Sequence, residues 1–137
     1  MTITSNKLLA KVKETISEVS VEVVNKELRA GEVVHIIDVR ERDEVADGYI
    51  PGAHIIPRGF LEMNIEEDVT MDRSAPIVLY CAGGNRSALA ARDLEFLGYT
   101  KVRSMIGGFK AWKESGHEFE QGGLLSEGDF QRYARHI

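Results

Sequence analysis

The chain is 137 residues long, carries a net charge of −5, and is 43% hydrophobic and 28% charged. That is one domain's length with enough apolar content for a core; the acidic balance speaks against a nucleic-acid partner, and no apolar run is long enough to cross a bilayer. Cys81 is the single cysteine, which excludes an internal disulfide. Residues 1–7 show no signal-peptide pattern, so cytoplasm is the expected compartment.

Residues 5–17 carry Leu8, Leu9, Val12 and Ile16 at helical spacing with charges between them, which predicts an amphipathic N-terminal helix. Its apolar face is expected to pack on the core or on a second copy as a homodimer. Glu18-Val19 reads as a short extended piece. Ser20 is placed to cap a helix through Leu28 that Gly31 ends. Val33 to Asp38 is nearly all apolar and predicts a strand buried on both faces. Arg40 to Ala46 reads as a short helix ended by Gly48. His54 to Ile56, Ile77 to Tyr80 and Val102 to Met105 read as three more strands. Gly107-Gly108 leads a last short helix with Phe109 and Trp112. Strands alternating with helices predict an α/β fold with a mainly parallel five-stranded sheet and helices on both faces.

Sites in such sheets lie at the carboxyl ends of strands, where Asp38 and Cys81 both fall. The run after Cys81 is Ala82-Gly83-Gly84-Asn85-Arg86-Ser87. Gly83 and Gly84 allow a sharp turn whose N–H groups point inward, and Asn85 or Ser87 can cap the following helix. A lone cysteine is ordinarily an inert small hydrophobe. Here it faces backbone donors and the positive end of a helix dipole, an arrangement for a thiolate and then an anion. A free thiol has a pKa of about 8.5, and lowering it by two units takes roughly 2.7 kcal/mol. A helix N-terminus supplies about 0.3–2 kcal/mol, and charge-assisted N–H bonds about 1.5–3 kcal/mol each.

Several motifs in order resemble the rhodanese-like sulfurtransferases over roughly residues 18–116. They are Asp38-Val39-Arg40-Glu41 with Glu44, Gly48-Tyr49-Ile50-Pro51-Gly52-Ala53, Ile55-Ile56-Pro57, the loop Tyr80 to Ser87, and Gly107-Gly108-Phe109-Lys110-Ala111-Trp112. Tyr49 departs from the histidine of many relatives, at a position that looks structural. The resemblance implies a rhodanese-like fold and sulfur transfer through a Cys81 persulfide. The backbone of Ala82, Gly83, Gly84, Asn85, Arg86 and Ser87 would be the anion cradle. The implied donor is a small anion such as thiosulfate, or a persulfide-bearing protein; the acceptor is cyanide, a cellular thiol or a sulfur-carrier protein. Four residues separate Cys81 from Arg86. The phosphatases that share the fold have one more, and the shorter loop favours sulfur over phosphate. The alternatives are a non-catalytic binding module and a small phosphatase.

Arg86 can meet the donor or pair with an acidic residue and stiffen the loop. Arg58 can reach the site mouth or remain a solvated loop arginine. Asp38 and Arg40 read as structural neighbours of the site, and Glu44 as a helix-face charge or an arginine partner. His35, His54, His117 and His136 show no ligand spacing, so no metal is expected, and no cofactor. Residues 1–17 form an N-terminal extension, and 117–137 a linker with a tail helix. From Leu125 to Ile137 the tail resembles the opening of the ubiquitin-activating-like adenylyltransferases of molybdopterin and thiamine biosynthesis.

Overall fold

The computed structural model describes residues 2–121. In chain order the elements are α1 (Ser5–Thr15), β1 (Ser17–Val19), α2 (Val21–Arg29), β2 (His35–Asp38), α3 (Arg42–Ala46), β3 (His54–Ile55), α4 (Leu61–Asp68), β4 (Ile77–Tyr80), α5 (Asn85–Phe96), β5 (Val102–Met105) and α6 (Gly108–Glu114). A single 3-10 turn at Arg58–Phe60 leads into α4. The five strands form one parallel sheet in the order β1-β5-β4-β2-β3.

Strand alternation sorts the core into two layers. Ile37, Leu79 and Cys81 point to one face, under Leu61 and Ile65 of α4 and Ala90 and Leu94 of α5. Ile36, Val78 and Tyr80 point to the other, under Val21 and Val24 of α2 and Phe109 and Trp112 of α6. Helices therefore cover both faces, as the near-continuous apolar strands require. Strand β2 opens at His35, not at Val33. The register pairs His35 with Ile77, so Val33 has no strand residue opposite it and is 82% exposed.

From β2 the chain crosses to β3 on one side, and from β4 to β5 on the other. The two connections leave neighbouring strands in opposite directions, which opens a crevice at their carboxyl ends. Asp38 and Cys81 lie there.

The N-terminal helix packs within the chain. Ser20 caps α2 as its position predicts, accepting from the Val23 N–H at 3.2 Å; at α1 the Thr4 hydroxyl accepts from Lys7 N–H at 3.2 Å. Val12 is buried, and α1 lies along α5. Residues 118–120, expected in a linker, close back on the domain. Trp112 Nε1 donates to Glu118 O at 2.9 Å, Phe119 meets Phe109 edge-on, and Glu120 pairs antiparallel with Tyr49. Gly122-Gly123 and the adenylyltransferase-like tail lie outside the described residues.

Candidate active site

Cys81 is the first residue after β4 and is buried. Gly84, in the left-handed region at φ 104°, is the N-cap of α5 and brings no side-chain oxygen to it. Neither Asn85 nor Ser87 caps the helix. The thiol takes that role: Cys81 Sγ accepts from Ser87 N–H at 3.4 Å, in the third helical position, and from Gly84 N–H at 3.2 Å. A capping oxygen would occupy the donors that the sulfur uses.

Ser87 acts a second time through its hydroxyl, which lies 3.5 Å from Cys81 Sγ and 2.8 Å from the Ser104 hydroxyl. Ser87 and Ser104 are fully buried. Burial pushes the Cys81 thiol up, but the Ser87 hydroxyl and the N–H groups of Ser87, Gly84 and Gly83 outweigh it. The thiol lies below its ordinary value, and the site therefore favours the nucleophilic form.

The outer side of the loop is held by α6. Phe109 N–H donates to Cys81 O at 2.8 Å, and Lys110 N–H to Ala82 O at 3.1 Å. Gly108 sits so close that a Cβ on it would lie 2.4 Å from Cys81 O, at a φ of +58°. Ser104 and Gly108 escaped the sequence reading as site residues. Their signals were a lone hydroxyl in a strand and a double glycine one residue after it.

Arg86 pairs with Glu44 through two parallel bonds, both 2.8 Å. Arg86 thus has an acidic partner, and Glu44 is an arginine partner. Hydrogen bonding to Arg86 holds the Glu44 carboxyl below the usual range. Arg58 is not brought to the site. It bonds Glu62 at 2.7 Å and also Asp93, two turns into α5. The Asp38 carboxylate accepts from Arg40 Nη2 at 2.8 Å and Nε at 3.0 Å, and Arg40 Nη2 also reaches Gly48 O at 2.6 Å. Asp38 and Arg40 are buried, and the guanidinium lies over the Phe109 ring. The pair braces the α3 connection against α6. Tyr49 donates from its hydroxyl to Glu120 at 2.8 Å, a structural use of that position. On the α6 side of Ala82 lies a cleft of about 440 Å³, lined in part by Arg40, Phe109, Lys110 and Lys113.

A parallel sheet that presents a cysteine from a central strand to a ring of main-chain donors defines a class of α/β proteins built around a nucleophilic thiol. Residues 20–115 match the rhodanese-like domain model, and the chain belongs to that family. It is 33% identical over 101 residues to a sulfurtransferase of Allochromatium vinosum, covering 74% of this chain and 92% of that one. It is 32% identical over 117 residues to the chloroplastic thiosulfate sulfurtransferase 16 of Arabidopsis thaliana, covering 79% and 96%. It spans 51% of the Bacillus subtilis protein YrkF, at 33% identity over 98 residues. A solved Rhodopseudomonas palustris protein of unknown function, described as a possible tyrosine phosphatase, superposes with a TM-score of 0.76 at 32% identity, covering 88% of this chain and 98% of that one.

Proposed function

We propose that the protein is a sulfurtransferase that carries sulfane sulfur as a persulfide on Cys81. One observation carries the reading: Cys81 Sγ sits among inward N–H donors, Gly84 at 3.2 Å and Ser87 at 3.4 Å, with its pKa lowered. The thiolate attacks the outer sulfur of an anionic donor such as thiosulfate. A new S–S bond forms to Cys81, and the old one breaks with its electron pair leaving on sulfite. The terminal sulfur of the persulfide stays anionic, so the same donors stabilise it. An acceptor nucleophile, cyanide or a thiolate, then attacks that sulfur and returns Cys81 as thiolate. With no second cysteine in the chain, the cycle is reset by the acceptor. A protein persulfide can replace thiosulfate as donor, and a sulfur-carrier protein can replace the small thiol as acceptor.

The name of the Rhodopseudomonas palustris relative raises phosphate-ester hydrolysis as a second reading. The short loop and the two hydrogen bonds from Arg86 to Glu44 weigh against it, because they already engage the guanidinium that would meet a phosphate.

The test is the intact mass of the protein before and after thiosulfate, then after cyanide. The expected result is a gain of one sulfur atom that cyanide removes and that Cys81→Ser lacks. Unchanged sulfur transfer by Cys81→Ser would overturn the reading. Aryl phosphate turnover that requires Cys81 would support the phosphatase.

A further inference from the structure

We infer that Lys13, on the helix before the matched domain, is the positive charge that receives an anionic sulfur donor at the rim of the Cys81 loop; the inference rests on the sulfur-transfer reading for its substrate class. Cys81, Gly84 and Ser87 form the buried floor of the loop, while Gly83 and Asn85 are exposed and form its rim. Lys13 Nζ donates to Asn85 Oδ1 at 3.2 Å, across 72 residues of sequence. It is half-buried, whereas Lys7 and Lys11 of the same helix are exposed. Its neighbour Val12 is buried, and the helix lies along α5.

The arginines around the site are already neutralised. Arg86 is paired with Glu44 and Arg40 with Asp38. Among the described residues, the partner of Lys13 is a neutral amide oxygen and not a carboxylate, which leaves its charge uncompensated. The lysines on the other side of the loop, Lys110 and Lys113, line a cleft they share with Asp47 and Glu114, besides the Glu44 already paired with Arg86. Carboxylates offset them there. A small dianion entering the loop therefore meets net positive potential from the α1 side. Because Lys13 lies before residue 20, this charge is added by the extension to a shared domain.

The experiment compares alkylation of Cys81 by iodoacetate, an anion, and iodoacetamide, its neutral counterpart of similar size. Both rates scale with the thiolate fraction, so their ratio reports the local potential alone. Lys13→Gln is expected to lower the iodoacetate-to-iodoacetamide ratio about two- to fivefold at low salt, with the difference shrinking as salt screens it. Lys13→Arg is expected to restore the ratio, and Lys11→Gln, which changes net charge equally, to leave it alone. An unchanged ratio in Lys13→Gln, or an equal fall in Lys11→Gln, overturns the proposal. A fall in Lys110→Gln with none in Lys13→Gln overturns it as well. With thiosulfate, Lys13→Gln is expected to raise KM and leave kcat near that of the parent. A parent protein that takes no sulfur from thiosulfate would sink the donor assignment, while the alkylation ratio would still decide Lys13.

Discussion

Ser87 touches the sulfur with both its main-chain N–H and its hydroxyl, and Ser104 holds that hydroxyl from β5. Removing the Ser87 hydroxyl deletes the strongest influence that lowers the thiol, while burial, which raises it, remains. Ser87→Ala is therefore expected to move the pH midpoint of Cys81 alkylation upward, measured as rate against pH. Ser104→Ala is expected to move it the same way by less, since it acts through Ser87. The folded thiol lies below the unfolded one. Its contribution to stability is thus present above the unfolded value, about 8.5, and is lost as pH falls through the folded value. Denaturant midpoints of the parent and Ser87→Ala should diverge as pH rises through that window.

At the scale of elements, the loop is clasped between α5, whose N-terminal donors face the sulfur, and α6, whose N–H groups hold the carbonyls of Cys81 and Ala82. Gly108→Ala would drive a methyl group into Cys81 O and hold a left-handed φ. The expected cost is about 2–4 kcal/mol of stability, read by denaturant titration, together with loss of the low alkylation pH midpoint. The five strands, the thiol at the end of β4 and the Asp38–Arg40 neighbourhood were legible in the sequence, because apolar runs and glycine punctuation are local signals. The capping of α5 by a sulfur was not, since a side-chain oxygen is the usual cap and Asn85 and Ser87 both offered one. Ser104 stands 17 residues from Ser87 and Lys13 72 residues from Asn85. Contacts at such separations follow from sheet order and helix packing, which no spacing encodes. Arg58 has one carboxylate partner at a local spacing, Glu62, and one, Asp93, 35 residues away.

Across the whole molecule, the N-terminal helix is joined to the site by packing as well as by charge. Val12 is its buried residue, and the helix lies along α5. Val12→Ala is expected to cost roughly 1.5 kcal/mol and to loosen the seat of Lys13. Thermal denaturation checks the first effect. A partial fall in the iodoacetate-to-iodoacetamide ratio, weaker than that of Lys13→Gln, checks the second.

Among the described residues, the edge strand β1 pairs with β5 alone, through Ser17 to Arg103, Glu18 to Ser104 and Val19 to Met105. During synthesis the chain therefore cannot close its sheet until residues 102–105 have left the ribosome, and Gly108 follows later still. Cys81 emerges first, without Ser104 behind its serine and without α6 against its carbonyl. Parallel pairings between distant segments are slow to form, and domains fold as units once their last strand is available. The nascent thiol is thus chemically ordinary, and its acidity is among the last properties the chain acquires. The lowered thiol arises only where the fold around it is complete.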